Sequence, residues 1–135
     1  YDSDKEFISF IEAFKLEAEN HKVDTYYIYH INIKFRDNLN ISPDVIYRAV
    51  CIFQKRLILV DKYEWDKLDV IKKEILIYHQ LGHCFLNRRH NNVMIYRINK
   101  YINVSIMNEY DDFDSNDYIQ YKKQYMNELF LGEFE

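Results

Sequence analysis

A chain of 135 residues with 48% hydrophobic and 17% aromatic content has the length of one domain and enough apolar side chains for a single core. Its formal charge of −4, with basic residues never more than two in a row, as at Arg88-Arg89, argues against a nucleic-acid surface, which needs a concentrated basic footprint. No apolar run approaches the ~20 residues of a membrane span, and the chain opens on Tyr1 without a signal peptide, as expected of a trimmed mature domain.

Between residues 4 and 19, Phe7, Phe10, Ile11, Phe14 and Ala18 recur at helical spacing, which predicts an amphipathic helix packed on a sheet and capped by Ser3 or Asp4. After a connector, residues 25–35 alternate with period two and predict a strand carrying Tyr27, Tyr29, Ile31, Ile33 and Phe35 on one face. His30 falls on the opposite face as a surface residue, and His21 has no supporting pattern. Residues 37–44 hold the only proline and read as a loop. Residues 45–53 and 56–60 then read as a hairpin turned at Gln54-Lys55.

From about residue 66 to 86 the pattern is helical again, with Leu68, Ile71, Ile75, Tyr78, His79 and Gly82 on or near one face. Cys51 and Cys84, the only cysteines, are expected as small buried thiols rather than a disulfide, which leaves the compartment open. His79 and His83, four residues apart on this helix, lie one turn from each other and present both imidazoles to one ion, and His90 follows beyond the helix end. A histidine on an apolar helix face is more often a core residue than a ligand. Two at this spacing, with a third at a fitting distance, make the ligand reading the stronger one.

The stretch His79-Gln-Leu-Gly-His83 with His90 resembles the zinc-peptidase pattern H-E-x-x-H-x-x-G-x-x-H of the metzincins. Ser105-Ile106-Met107-Asn108 is similar to the Met-turn that runs beneath the zinc site in that family. The two motifs cover residues 74–110. The resemblance implies Zn²⁺ held by His79, His83 and His90, with Met107 as the structural Met-turn residue. It implies an α+β fold: a small metzincin-like domain with a twisted mixed sheet, a backing helix and an active-site helix over residues 1–86. A reduced C-terminal part over 87–135 then brings the third ligand, the Met-turn and a final helix. Gly82, one of only two glycines, would be explained by close packing against the zinc site or the Met-turn. One strand of the hairpin before the active-site helix is the candidate edge for an extended peptide substrate; a hairpin that only completes the sheet is the equal alternative.

This chain departs from the pattern in three places. Gln80 stands where the family has its general-base glutamate, and an amide hydrogen-bonds but does not accept and relay a proton. His90 follows His83 by seven residues rather than six with no glycine between, and Asn87, which tolerates the left-handed conformation, is expected to end the helix in its place. The family's tyrosine two residues after the methionine falls here on Glu109, with Tyr110 next to it. A further alternative keeps His79 and His83 and takes Glu109 as third ligand, in the manner of gluzincins.

The implied function is a zinc-dependent endopeptidase acting on peptide or protein substrates, a monomer in an extracytoplasmic location, inactive or nearly so because of Gln80. Two histories fit. A working protease has been stopped by a Glu→Gln change, or the chain is a natural non-catalytic protein that binds zinc and peptides. The first is favoured because ligands, Met-turn and helix all look intact, whereas drift after loss of catalysis erodes the metal site too.

Residues 91–104 are poorly patterned, with 93–96 as a short strand or a wall of the cleft. The N-x-S sequons at Asn40 and Asn103 carry no weight without a secretory context. Asp112, Asp114 and Asn116 alternate as in a calcium loop, but Asp117 and Lys123 stand where glycine and glutamate are needed. Ser115 or Asn116 is expected to cap a final helix to about Leu131 that buries Tyr118, Tyr121, Tyr125, Met126 and Leu129.

Overall fold

The computed structural model describes residues 2–39, 44, 46–110 and 113–135. The fold is mixed α+β. A three-stranded sheet has the order β1-β3-β2, with β1 (Asn32–Arg36) parallel to β3 (Leu57–Asp61) and β2 (Ala49–Ile52) antiparallel to it. A separate hairpin pairs β4 (Met94–Arg97) with β5 (Lys100–Asn103). The helices are α1 (Ile8–Asn20), α2 (Lys62–Asp66), α3 (Val70–Cys84), α4 (Ser115–Gln120) and α5 (Lys122–Leu131).

The central strand β3 is Leu-Ile-Leu-Val-Asp, buried from Ile58 onward, as a strand covered on both faces and paired on both edges requires. Its last residue, Asp61, caps the short helix α2 by accepting from Glu64 N at 3.0 Å. Helix α3 is buried on most of its circumference. Ile75, Ile77, Tyr78, Leu81 and Gly82 meet α1, the sheet and the C-terminal helix, and Tyr78 packs edge-on against Phe14 of α1 at 5.3 Å.

The chain departs from its sequence pattern at several points. The strand predicted over 25–35 begins only at Asn32; residues 28–30 form a 3-10 turn in which Ile28 is buried, while Tyr27 points to solvent. Ile31, Ile33 and Phe35 do face the core. Ser3 and Asp4 do not cap α1. Ser3 Oγ accepts from Ile33 N at 2.9 Å and Asp4 Oδ2 from Phe35 N at 2.7 Å, so they cover the outer edge of β1 instead.

The hairpin of β2 and β3 turns through residues 53–55, with Arg56 left-handed at φ 49°. The helix expected from 66 begins at Val70, where Asp69 caps it by accepting from Lys72 N at 2.9 Å. The final helix is two helices broken at Tyr121, and its cap is Asp114, which accepts from Asn116 N at 2.7 Å, rather than Ser115 or Asn116. Residues 94–97 form a strand. The proline of the expected loop, the sequon residue Asn40, and Asp112 lie outside the described residues.

The expectation of free thiols also fails: Cys51 on β2 and Cys84 at the end of α3 form a disulfide. Both are small residues on facing surfaces, with Cα atoms 5.8 Å apart, within the range a disulfide spans. Sequence alone offered no way to place strand and helix at that separation. No helix among the described residues is long and apolar enough to cross a membrane.

Candidate metal centre

Helix α3 carries His79 and His83 one turn apart, with ring centroids 4.8 Å apart. After Cys84 the chain closes with Phe85 N and Leu86 N both bonded to Leu81 O, then passes through Asn87 at φ 55°. Arg88 N then returns to Gly82 O at 2.8 Å. This turn, in which asparagine does the work expected of it, sends His90 back over the helix end. His83 Nε2 lies 3.1 Å from His79 Nε2 and 3.1 Å from His90 Nε2.

The other ring nitrogens explain what these short distances mean. His79 Nδ1 bonds Ile106 O at 2.6 Å and His83 Nδ1 bonds Arg88 O at 2.7 Å. A carbonyl only accepts, so both protons sit on Nδ1, and both Nε2 atoms turn bare lone pairs toward each other. Such nitrogens repel unless a cation lies between them. Three ligands of a tetrahedral ion at ~2.0–2.1 Å stand about 3.3 Å apart, close to what is seen. The three histidines are near enough to hold one metal ion, with their ligand atoms all within 4.8 Å of one another.

Burial pushes His79 down to about 4, and repulsion from His83 and His90 adds to this, against the opposing bond to Ile106. Burial likewise lowers His83. Both are therefore neutral near pH 7, the protonation state that metal ligation requires.

The triad opens on a cleft of about 640 Å³, walled by β2 through Ala49 and Val50, by α3 through Ile75, and by Ile106 and Asn108. Gln80 lines the same cleft, is 7% exposed, and its Oε1 is buried with no hydrogen-bond partner among the described residues. A buried acceptor left unpaired costs ~1–3 kcal/mol.

Ser105 to Asn108 form a tight turn beneath the histidines. Ser105 Oγ accepts from Met107 N at 2.9 Å, and Asn108 N reaches back to Ser105 O at 3.3 Å. Met107 is fully buried. The turn thus delivers two things to the site, the Ile106 carbonyl for His79 and a thioether against α3.

Glu109 stands beside the site and not among the clustered ligand atoms. Its Oε2 is 3.8 Å from His90 Nδ1, and it exchanges two bonds with Asn92, at 2.7 and 2.9 Å. Tyr110 lies at the cleft rim, 64% exposed, and its hydroxyl makes no hydrogen bond among the described residues. His30 is exposed as expected, and His21 is a structural residue that bonds Glu17 O and Asn127 Oδ1 and stacks on Phe130.

Sequence reasoning missed the layer behind the histidines: the carbonyls of Ile106 and Arg88, the hydroxyl of Ser105, and Glu128 of α5, which binds both loops. Backbone acceptors leave no trace in residue identity. Glu128 leaves only a faint one, a single acid on the otherwise apolar side of α5.

Compared with protein-family models, with curated proteins and with solved structures, the chain matches none.

Proposed function

We propose that this chain is a zinc-dependent endopeptidase scaffold of the metzincin kind, inactive or nearly so because Gln80 occupies the position of the general base. The observation that carries this reading is the convergence of the Nε2 atoms of His79, His83 and His90 in a cleft, beside a buried methionine turn. His79, His83 and His90 would hold the ion. Zinc at a three-histidine site acidifies water toward pKa ~7 and polarises a carbonyl.

The chain's own residues set the rest. Gln80 offers Oε1 as an acceptor and its amide as a donor, so it orients what enters the cleft but takes no proton. Loss of one general base typically costs ~10²–10⁴-fold in rate. Strand β2 pairs with β3 alone among the described strands, and its residues wall the cleft beside the histidines. This supports an extended peptide as substrate, laid along β2 by backbone hydrogen bonds. The disulfide between Cys51 and Cys84 supports an extracytoplasmic location, since such bonds persist in oxidising compartments.

The second reading is a natural non-catalytic protein that binds zinc and peptides, and Gln80, an amide that takes no proton, is compatible with it as well. Peptide hydrolysis by Gln80→Glu, with and without a chelator, tests the two. Chelator-sensitive cleavage by that variant, absent from the Gln80 form, is the expected result. A zinc-loaded Gln80→Glu variant that cleaves no peptide in a broad library would favour the binding protein, and absence of zinc from both forms would overturn the metal reading.

A further inference from the structure

Glu128 is 2% exposed and belongs to α5, remote in sequence from every histidine. Its Oε2 accepts from Arg88 Nη2 at 2.6 Å and from Asn91 Nδ2 at 3.2 Å, and its Oε1 accepts from the Ser105 hydroxyl. Arg88 Nη1 donates in addition to the Glu128 and Leu129 carbonyls, at 2.7 and 2.9 Å.

These partners are the residues that aim the ligands. The Arg88 carbonyl receives His83 Nδ1. Ser105 Oγ, bonded to Glu128, shapes the turn whose Ile106 carbonyl receives His79 Nδ1. Asn91 adjoins His90, and its backbone N–H bonds Met107 O at 2.9 Å. One carboxylate therefore ties together the two irregular segments, 88–91 and 105–107, on which the orientation of all three imidazoles depends.

We propose that Glu128 is the positioning residue that sets the metal affinity of the three-histidine site. The inference rests on the reading of that site as a metal centre. Stability alone is a poor reason for a buried ion pair here, because replacing such a pair with well-packed apolar residues is often neutral or stabilising. An apolar side chain at 128 would fill the space but would not fix the relative placement of two loops. A metal site tolerates errors of only about 0.2 Å in its ligand distances.

The test is Zn²⁺ affinity, measured by competition with a chromophoric chelator, together with the visible absorption spectrum of the Co²⁺-loaded protein. Both are read on the unaltered chain, Glu128→Gln and Ser105→Ala, with folding checked by circular dichroism. The expected result is one ion per unaltered chain, binding ~10–100-fold weaker in Glu128→Gln, and a changed Co²⁺ spectrum, as loss of an outer hydrogen-bond partner gives. Ser105→Ala removes only the limb to the turn and shifts both readouts in the same direction by less. Variants that bind as tightly, with an unchanged spectrum, would overturn the inference even if their melting temperatures fell. Should Glu128→Gln not fold, unchanged affinity and spectrum in Ser105→Ala overturn it by themselves. An unaltered chain that binds neither ion takes down the metal reading and this inference with it, whereas tight binding unaffected by either substitution removes only this inference.

Discussion

Met107 occupies the space that a side chain on Gly82 would need. A Cβ on Gly82 would collide with Met107 Sδ, and would lie 3.1 Å from its Cε and 3.3 Å from Leu129 Cδ1. Glycine in the middle of a helix costs ~0.5–1 kcal/mol relative to alanine. Here the absence of a side chain lets the turn that carries the Ile106 carbonyl press against the helix that carries His79. Gly82→Ala is accordingly expected to destabilise the protein by ~1–3 kcal/mol through overpacking, despite its better helix propensity. Urea unfolding would measure it, and equal or greater stability would show that Met107 moves aside freely.

Zinc is expected to raise the unfolding free energy of the unaltered chain by ~2.7 kcal/mol when the free ion is at 100 times its dissociation constant, an effect that a chelator reverses. His79→Ala and His83→Ala abolish that response. His90→Ala weakens binding by more than the ~10–100-fold that loss of an outer partner costs. A His90→Ala variant that still bound zinc tightly would instead support Glu109 as third ligand, after a movement of its carboxylate from its present place beside His90.

Reduction of the Cys51–Cys84 bond frees β2 from the end of α3. In the chain-entropy view a link across 33 residues is worth about 3–4 kcal/mol. The reduced protein is therefore expected to unfold at lower denaturant than the oxidised one. Superimposable urea curves would show that packing alone holds the cleft wall.

At alkaline pH the buried tyrosines dominate. Burial, followed by the negative charge of Glu74, pushes Tyr78 and Tyr118 well above the ordinary value of 10, and burial does the same for Tyr125. The folded state keeps these protons while the unfolded chain releases them near pH 10, so stability is fully present below pH 10 and falls as pH rises beyond it. Exposed tyrosines such as Tyr110 ionise first, and the last part of the rise in tyrosinate absorbance is expected to coincide with the loss of far-ultraviolet ellipticity. Ionisation of the full tyrosine complement with ellipticity unchanged would contradict it.

What local periodicity encodes was legible in the residues alone. His79 and His83 share a helix face because four residues make one turn, and Asn87 marks the helix exit because few other residues accept its φ of 55°. Ile31, Ile33 and Phe35 point inward because alternate residues of a strand do. The same reasoning extended that strand too far, since it could not see that the main chain turns at residues 28–30 and buries Ile28.

Tertiary structure decided whatever joins distant segments. Ser3 and Asp4 read as helix caps by type, yet they serve β1, because the N-terminus lies along that open edge and short polar side chains bond whichever backbone group is near. Cys51 and Cys84 became a disulfide because the sheet sets β2 against the end of α3. Residue spacing alone places two imidazoles on one helix with a third nearby. Only folding brings the Ile106 carbonyl, 27 residues from His79, and the Arg88 carbonyl, 5 residues from His83, onto the Nδ1 atoms of those rings, and sets Glu128 of another helix against Arg88. Helical spacing is a property of the local backbone, whereas the orientation of a ring depends on where remote acceptors come to rest when the core is packed.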